Sequence, residues 1–564
     1  MARTVGIGHQ DYAKLVMHDI FYVDKTMFIK EWWENEDEVT LITRPRRFGK
    51  TLTISMVEYF FSRNYAGRND LFEKMNIWKE EKYRKLQGNY PVIALSFAGV
   101  KGSNFVDSRR QICQEIADVY NRNYFLLEED GFLNDKEREF FDRVSRDMDN
   151  DIAALSLKKL SELLTRYYDQ KVVILLDEYD TPMQEAYVGG YWEEIVSFMR
   201  NLFNATFKTN PFFDKALMTG ITRVSKESIF SDLNNLEVVT STSEKYAEIF
   251  GFTQEEVSAA LQEFGMSDWE DRVKDWYDGF TFGSKSDIYN PWSIINFLDK
   301  RKLGTYWANT SSNGLVGKLI QEGSKEVKII MEDLLQGEVL RTVIDEQIVF
   351  NQLGRNESAI WSLLLASGYL KVEQYTVDGE TGEKEYCLKL INKEVKIMFR
   401  TMIENWFQNY SPEYNDFVKA LLRDDLDEMN EYMNRIASET FSNFDTGNKS
   451  SERSQPERFY HGFVLGLMVD LSDKYRITSN RESGFGRYDV MLEPLEKNGT
   501  LPAIIIEFKV FRPKKEKDME ETVQMALQQI EEKGYAAGLE AAGIPADRIQ
   551  KYGFAFEGKT VLIG

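Results

Sequence analysis

The chain has 564 residues, of which 43% are hydrophobic and 13% aromatic, so it can fill about two to four domain cores and is not an extended disordered protein. Its formal net charge of −22 speaks against a protein that coats nucleic acid through its overall field, although local basic clusters can still contact phosphates. Its two cysteines, Cys113 and Cys387, lie far apart, which excludes a disulfide framework or a cysteine zinc site and is typical of a reducing cytoplasm.

Residues 1–240 alternate short β-branched runs with helical stretches, a pattern that predicts an α/β domain built on a parallel sheet. Four runs are apolar on both faces, as strands buried between two layers of helices are. They are VTLIT from Val39, PVIALSF from Pro91, KVVILLDEYD from Lys171 and KALMTGIT from Lys215. No stretch of the chain approaches the ~18 uninterrupted apolar residues of a membrane helix, and the N-terminus has no apolar signal segment. We therefore expect no membrane partner and a cytoplasmic location.

The first of these runs leads into TRPRRFGKTL at residues 43–52, which ends like the phosphate-binding loop G-x-x-x-x-G-K-[ST]. Gly49, Lys50 and Thr51 occupy the last three places of that pattern, between a strand and the helical stretch LTISMVEYFF. Such a loop binds phosphates through backbone N–H groups and the lysine amine, and its hydroxyl binds Mg²⁺. The context predicts a nucleotide site.

The same loop departs from the pattern at its start, where Arg44 stands in place of the first glycine. That glycine eases a tight backbone turn, whereas the groups that contact phosphate lie later in the loop. Pro45 can fix the entry of the chain through its restricted φ. The two following arginines either add positive charge beside the phosphates or reach towards a second partner such as nucleic acid. We therefore predict that the loop still binds ATP. The predicted nucleotide-binding residues are Arg46, Arg47, Phe48, Gly49, Lys50 and Thr51.

Acidic and polar residues follow two further strands. Asp177 and Glu178 come at the end of the apolar run in KVVILLDEYD. In phosphate-loop NTPases an acid at this strand tip binds Mg²⁺, and a neighbouring carboxylate can orient and deprotonate the attacking water, so we assign these roles to the pair. Thr219 and Thr222 lie at the end of the next strand, with Arg223 just beyond. A polar group there can sense the γ-phosphate and an arginine can neutralise transition-state charge, although an ordinary surface ion pair is the alternative for Arg223.

Residues 241–441 form a mostly helical middle region rich in tryptophan and tyrosine. One hairpin is predicted within it, at YLKVEQYTVDGETGEKEYCLKLI, because two X-Gly pairs supply turn residues. Residues 401–441 are predicted to be amphipathic helix. The polar stretch 442–456, punctuated by Gly and Pro, predicts a linker or mobile loop before a compact C-terminal domain at 457–564.

The C-terminal domain carries a second group of charged residues, in GRYDVMLEP and PAIIIEFKV. In the strand Ala503–Val510 the period of two puts Glu507 and Lys509 on one face and Phe508 on the other. A hairpin through LEKNGT brings Asp489 beside Glu507. Two buried carboxylates need a partner, and a divalent cation such as Mg²⁺ or Mn²⁺ is the natural one. We therefore predict a catalytic metal site here, in which the lysine positions a water or stabilises charge on phosphorus.

Five stretches carry a resemblance to known proteins: GHQDYAKLVMHDIFYVDKTMFIKEWW, LITRPRRFGKTLTISMVEYFF, LLDEYDTP, TGITRVSKESIFSDLNNL and WYDGFTFGSKSDIYNPWSIINFL. They resemble a large bacterial family of AAA-type ATPase-like proteins, often fused to a C-terminal nuclease-like domain, and the resemblance runs through nearly the whole chain. It implies that Lys50 and Thr51 bind nucleotide and Mg²⁺, and that Asp177 and Glu178 are the Mg²⁺-binding and water-activating acids. For the YNPW stretch at 289–292 we expect packing around the nucleotide pocket.

The pattern D-x(n)-E-x-K on adjacent strands, in the order helix, three strands, helix, strand, resembles the PD-(D/E)XK nuclease superfamily. Tyr488 stands where the superfamily's name has proline. The resemblance implies a restriction-endonuclease-like α/β fold and adds Glu457, on the first helix, as a further metal ligand. It also places Gln529, on the later helix, near the scissile nucleic-acid strand. His461 shares a helix face with Glu457 and is either a phosphate contact or an ordinary helix histidine.

Together the two sites predict an ATP-binding protein and ATPase, coupled to a Mg²⁺- or Mn²⁺-dependent nuclease that hydrolyses phosphodiester bonds of nucleic acid, with DNA favoured. One alternative is a nucleotide-regulated nucleic-acid-binding or scaffold protein with one degenerate catalytic site. Another is a nuclease whose phosphate-loop domain serves only in assembly. ATP and Mg²⁺ or Mn²⁺ are the expected cofactors and nucleic acid the expected partner, while assembly into a homo-oligomer stays open.

Overall fold

The computed structural model divides the chain into two compact units. The first contains Met1–Leu319 and Gly337–Lys396, and the second contains Ile320–Gln336 and Ile397–Gly564. The structure describes residues 2–223, 230, 233–308, 310, 314–345, 353, 357–379, 384–408, 414–440, 464, 468, 471, 474–479, 482–483, 486–487, 489–496, 499–513, 515–558 and 560–564.

The N-terminal part of the first unit contains a parallel sheet of five strands. The strands are β1 (Val39–Thr43), β2 (Val92–Ser96), β3 (Val172–Asp177), β4 (Phe213–Gly220) and β5 (Leu236–Val239). They lie in the order β2-β3-β4-β1-β5, and β1 and β3 are buried along their whole length. Because all five strands run parallel, the loop after β1 and the tips of β3 and β4 meet at one edge of the sheet. The parallel sheet and its four predicted strands are confirmed, and β5 was not predicted.

Ten helices accompany this sheet in the described part of residues 1–240. Several begin at a side-chain cap: Asn104 caps α5, and Asn134 with Glu137 forms a capping box on α7. The helices are α1 (Tyr12–Met17), α2 (Met27–Glu34), α3 (Lys50–Phe61), α4 (Glu81–Arg84), α5 (Phe105–Arg122), α6 (Phe125–Glu128), α7 (Asp135–Arg143), α8 (Asn150–Tyr168), α9 (Thr181–Gly189) and α10 (Trp192–Phe203).

The middle of the chain is largely helical but also holds two small antiparallel sheets. One sheet has the order β6-β8-β7, with β6 (Phe252–Thr253), β7 (Phe280–Phe282) and β8 (Lys285–Tyr289). The other has the order β10-β11-β9, with β9 (Leu340–Val343), β10 (Leu370–Val377) and β11 (Lys384–Leu390), so the predicted hairpin gains a third strand. The helices are α11 (Gln254–Glu263), α12 (Glu270–Tyr277), α13 (Pro291–Lys300), α14 (Gly314–Glu322), α15 (Lys325–Gln336) and α16 (Glu357–Ala366), of which α15 belongs to the second unit.

The C-terminal part of the second unit is built on a mixed sheet of five strands. Its strands are β12 (Tyr475–Ser479), β15 (Val490–Pro494), β16 (Ala503–Val510), β17 (Ile549–Glu557) and β18 (Thr560–Ile563), and a two-stranded ribbon of β13 (Glu482–Ser483) and β14 (Gly486–Arg487) precedes β15. The order is β12-β15-β16-β17-β18, in which only β16 and β17 run parallel. The helices are α17 (Lys393–Gln408), whose first four residues belong to the first unit, α18 (Tyr414–Leu422), α19 (Leu426–Thr440), α20 (Met519–Lys533) and α21 (Ala537–Ala541).

Several expectations for the second half of the chain need comment. The amphipathic helix predicted over 401–441 is instead the end of α17 followed by α18 and α19. The predicted linker at 442–456 lies outside the described residues, and the predicted domain boundaries stay predictions. No helix within the described ranges is long and apolar enough to cross a membrane.

Candidate nucleotide and nuclease sites

The loop after β1 surrounds the amine of Lys50 with backbone oxygens. Gly49 precedes α3 with φ of 82°, a left-handed conformation that glycine adopts without penalty. The Nζ of Lys50 donates hydrogen bonds of 2.9 Å to the carbonyls of both Arg44 and Pro45. A Cβ built on Gly49 would meet no heavy atom within 4 Å, so the helix N-terminus faces open space. The loop is thus curled around its lysine, with room for a phosphate beside it.

Arg44 fills the place of the missing first glycine as a wholly buried side chain with 0% exposure. Its guanidinium donates hydrogen bonds to the carbonyls of Thr43, at 3.0 Å, and Thr240, at 2.7 Å, and lies 4.3 Å from the ring centroid of Phe282. Among the described loop residues the positive φ angles are at Arg47, with 65°, and Gly49, with 82°, and not at Arg44. The loop therefore does not need a glycine at its first position.

The next side chains of the loop differ in their surroundings. Arg46 is half-buried, and the exposed guanidinium of Arg47 lies 4.4 Å from the ring centroid of Trp292. Phe48 is buried, with its ring 4.7 Å from that of Phe280 and 5.5 Å from that of Phe282. Of the predicted nucleotide contacts, Phe48 therefore has only its backbone to offer a ligand, because its side chain packs in the protein.

The acidic tip of β3 meets the start of α3. The Asp177 carboxylate accepts a hydrogen bond of 2.7 Å from the Thr51 hydroxyl on one oxygen and a bond from the Thr219 hydroxyl on the other. Burial raises the pKa of Asp177, although these two hydroxyls oppose the shift. Burial lowers the pKa of Lys50, and the nearby carboxylates of Glu178 and Asp177 oppose that shift. The structure thus brings Lys50, Thr51, Asp177 and Glu178 to one place.

Glu178 itself lies in a strained backbone conformation. Its φ is 50°, and its amide donates a 3.3 Å hydrogen bond to the Thr219 hydroxyl, while its carboxylate accepts one of 3.2 Å from Thr181. A non-glycine residue with positive φ is uncommon and is often retained at a functional site. The half-buried carboxylate is held next to Asp177 at the sheet edge.

Asp180 is a buried acid of this site to which the sequence assigned no role. Its carboxylate accepts hydrogen bonds of 3.1 and 2.8 Å from the amides of Ile221 and Thr222, and one of 2.8 Å from the Thr222 hydroxyl. A Cβ on Gly220 would come within 2.7 Å of this carboxylate, so that position requires glycine. These hydrogen bonds to Asp180 hold the end of β4 in place. In the sequence, the third acid of LLDEYD is the feature that could have pointed to this residue. The half-buried Arg223 lines a small cavity of about 20 Å³ beside this strand end.

The residues present fit a nucleotide with its Mg²⁺. Lys50 supplies a cation and Gly49 an open helix N-terminus, which suit phosphate oxygens. Thr51 and Asp177 supply oxygen ligands, which Mg²⁺ prefers. The half-buried Arg46 adds a second positive charge, which opposes protonation of Lys50.

The C-terminal candidate site lies on β15 and β16. The antiparallel register pairs Val490 with Ile506, which places Asp489 opposite Glu507. Both carboxylates are buried, and the Asp489 carboxylate accepts a 2.8 Å hydrogen bond from the amide of Phe508. The hairpin thus places the two acids side by side.

Gln529 on α20 joins the two charged residues of β16. Its side-chain amide nitrogen donates to the Glu507 carboxylate and, at 3.2 Å, to the hydroxyl of Tyr535, while its oxygen accepts a 2.7 Å hydrogen bond from Lys509 Nζ. Both Glu507 and Lys509 therefore face α20, whereas Phe508 packs into the core on the opposite side of the sheet. Gln529, predicted to contact nucleic acid, lies where it orients the acid and the lysine.

The donor set suits a divalent cation only in part. Asp489 and Glu507 supply carboxylate oxygens, the ligands that Mg²⁺ and Mn²⁺ prefer. Glu457 and His461, the further residues expected here, lie outside the described residues. Across the ranges that the structure describes, no group of three His, Cys, Asp or Glu side chains lies close enough together to hold a metal ion by itself. The two acids fit a site that takes its remaining ligands from water or from substrate.

Comparisons with known proteins give matches to two separate parts of the chain. Residues 6–230 match a family model described as predicted AAA-ATPase, and residues 455–564 match the PD-(D/E)XK nuclease superfamily. An uncharacterized protein in the vnfD 5′ region of Azotobacter chroococcum mcd 1 is 25% identical over 559 residues, which cover 96% of this chain and 95% of that protein. The chain therefore combines a predicted AAA-ATPase-like domain with a PD-(D/E)XK nuclease superfamily domain.

Proposed function

We propose that this protein is a metal-dependent nuclease, with DNA as the favoured substrate, whose activity is coupled to ATP binding and hydrolysis in its N-terminal domain. The observation that carries the proposal is the hydrogen-bonded arrangement of Glu507, Gln529 and Lys509 beside Asp489. Two acids and a lysine held at one strand end are the groups that phosphodiester hydrolysis needs, because they combine metal ligands with a cation for developing charge.

In this proposal each residue of the C-terminal site has a separate task. Asp489 and Glu507 would hold Mg²⁺ or Mn²⁺, which when bound would lower the pKa of a coordinated water and neutralise phosphate oxygens. Lys509 orients the attacking water or stabilises negative charge on the phosphate in the transition state. Gln529 keeps the acid and the lysine at a fixed separation, so they need no rearrangement when substrate binds.

The nucleotide half of the proposal rests on the loop and the acidic strand tip. Lys50 contacts the β- and γ-phosphates, and Thr51 and Asp177 hold the Mg²⁺ that accompanies ATP. Glu178 orients the attacking water, and Arg46 adds charge near the γ-phosphate. Arg223 is a further candidate for the γ-phosphate, because it follows β4 closely.

The test is cleavage of single- and double-stranded DNA and RNA by the full chain, with Mg²⁺ or Mn²⁺ and with or without ATP. We expect DNA cleavage that depends on the metal, changes with ATP and is lost in the Asp489→Asn variant. The matched control is Glu493→Gln, which changes an acid within β15, the strand that Asp489 immediately precedes. Cleavage that survives Asp489→Asn would refute the assigned nuclease site. Nucleic-acid binding without cleavage would favour the nucleotide-regulated binding protein instead.

A further inference from the structure

One backbone carbonyl of the phosphate-binding loop is held by side chains from far along the chain. The carbonyl of Arg46 accepts a 3.0 Å hydrogen bond from the indole Nε1 of Trp307 and a 3.3 Å bond from the Nδ2 of Asn290. Both donors belong to the first unit. Asn290 is part of the YNPW stretch, and Trp307 is a tryptophan for which we predicted no role from the sequence.

These two hydrogen bonds fix the direction of one peptide group. In a planar trans peptide the C=O and the following N–H point to opposite sides. With the Arg46 carbonyl directed at Trp307 and Asn290, the N–H of Arg47 is directed away from them. The carbonyls of Arg44 and Pro45 are occupied by Lys50. Since a phosphate is bound by N–H groups and repelled by carbonyls, control of this peptide decides whether the loop can cradle an anion.

This orientation of the peptide requires an unfavourable backbone conformation in the loop. Arg47 has φ of 65°, a conformation that residues with a side chain disfavour. Rotation of the peptide between Arg46 and Arg47 would relieve that strain and turn the carbonyl towards the phosphates. The hydrogen bonds to the Arg46 carbonyl oppose this rotation, and the stacking of the Arg47 guanidinium on Trp292 supports the same conformation.

The two donors are themselves firmly placed. The Oδ1 of Asn290 caps α13 by accepting a 2.9 Å hydrogen bond from the amide of Trp292. The Trp307 indole packs 5.7 Å from the ring of Phe280 and 5.5 Å from that of Tyr369, measured between ring centroids. The backbone amide of Trp307 donates a 2.6 Å hydrogen bond to the buried carboxylate of Glu394. The donors therefore act from a rigid frame.

We propose that Trp307 and Asn290 are positioning residues for nucleotide binding, which hold the Arg46–Arg47 peptide so that its N–H serves the phosphates. The inference rests on the proposed binding of ATP at Lys50 and adds the residues that make the loop competent. The same hydrogen bonds connect the middle region of the chain directly to the phosphate-binding loop.

The test measures binding of mant-ATP with Mg²⁺, and steady-state ATP hydrolysis, in the full chain. Trp307→Phe keeps an aromatic ring and removes the N–H donor, while Asn290→Ser keeps a capping oxygen and removes the amide donor without adding charge. We expect each change to raise the Kd by on the order of 5- to 10-fold. We expect KM to rise more than kcat falls, because the contact is made equally in the ground state and the transition state. Trp269→Phe, in a half-buried tryptophan that packs on Phe297, is the matched control.

A stability measurement separates positioning from a general loss of packing. Urea denaturation should show similar losses of unfolding free energy in Trp307→Phe and Trp269→Phe, whereas only Trp307→Phe should raise the Kd. Unchanged Kd values in both Trp307→Phe and Asn290→Ser, with wild-type binding intact, would overturn the inference and leave the proposed function standing. An equal loss of affinity in Trp269→Phe would also overturn it. Absence of nucleotide binding by the wild-type chain would overturn the proposed ATP site itself.

Discussion

The hydroxyl of Thr51 donates a 2.7 Å hydrogen bond to the carboxylate of Asp177, although 126 residues separate the two along the chain. The contact joins the helix that follows the phosphate-binding loop to the tip of the strand that carries the acids. Our proposal assigns both groups to Mg²⁺ as oxygen ligands, and their direct contact means that little rearrangement would be needed to complete such a site.

Loss of either group at this contact should remove ATP turnover. Thr51→Val keeps the size of the side chain but removes one metal ligand, and we expect kcat/KM for ATP to fall by on the order of 100-fold. Thr53→Val changes another threonine of α3, a buried one, and should leave turnover near the wild-type rate. Phosphate release at several ATP concentrations measures both. Equal rates in the two variants would contradict the metal assignment.

The side chain of Gln529 should matter for the rate of cleavage more than for substrate affinity. Gln529→Leu removes the link between Glu507 and Lys509, and we expect cleavage to slow by about 10- to 100-fold. Gln528→Leu is the control, since Gln528 lies exposed on the same helix and its side-chain amide donates a hydrogen bond to Glu532. Two assays separate the effects: single-turnover cleavage of DNA with Mg²⁺, and equilibrium binding of DNA with Ca²⁺ in place of Mg²⁺. A change confined to DNA affinity would favour direct contact of Gln529 with nucleic acid.

Restoring the glycine of the phosphate-loop pattern should harm the protein. Arg44→Gly removes the side-chain hydrogen bonds to the carbonyls of Thr43 and Thr240 and empties a buried space against Phe282. We expect the free energy of unfolding to fall by about 2–4 kcal/mol. Arg47→Gly, at an exposed position with positive φ, should change it by less than about 1 kcal/mol. Urea denaturation of the two variants gives the comparison, and an Arg44→Gly protein as stable as the wild type would disprove this role.

Glu394 should make stability depend on pH. Burial raises the pKa of its carboxyl to about 7, although hydrogen bonds from Ser293 and from the amides of Trp307 and Ala308 oppose the shift. Because the folded pKa exceeds the unfolded value near 4.5, the folded state binds the proton more tightly. The stabilising contribution is therefore complete below about pH 4.5 and is lost as the pH rises through about 7, by up to roughly 3 kcal/mol.

The Glu394→Gln variant isolates this effect. Its free energy of unfolding, relative to the wild type, should increase between pH 5 and pH 8, because the variant has no charge to bury. Chemical denaturation of both proteins at the two pH values measures the difference. The same difference at pH 5 and pH 8 would mean that Glu394 does not titrate in this range.

The parts of the structure that the sequence predicts are those decided by local pattern. β1, Lys50 and Asp177 follow from apolar runs that end in a loop or an acid, and the pairing of Asp489 with Glu507 follows from a short hairpin. β6 was missed because it has two residues, too few to show alternation. The roles assigned to the site residues stay predictions.

The two residues whose side chains bond to the Arg46 carbonyl could not be predicted, for a different reason. Asn290 and Trp307 bond to the Arg46 carbonyl although 244 and 261 residues of sequence separate them from it. Neither residue lies in a sequence pattern that indicates such a contact. Packing of the middle region decides these positions, and no local rule describes that packing. Asp180 was visible as a third acid, but its hydrogen bonds to the end of β4 depend on the sheet order.

The burial of Phe48 determines where the chain can be cut. Its ring is 1% exposed and packs on Phe280 and Phe282, which lie beyond residue 230, where the match to the ATPase family ends. A shortened polypeptide that stops there would leave this ring in water at the centre of the nucleotide loop and would be prone to aggregate. Because the carbonyl of Arg46 in the same loop also accepts a hydrogen bond from Trp307, the smallest fragment suitable for nucleotide studies must extend at least through Trp307.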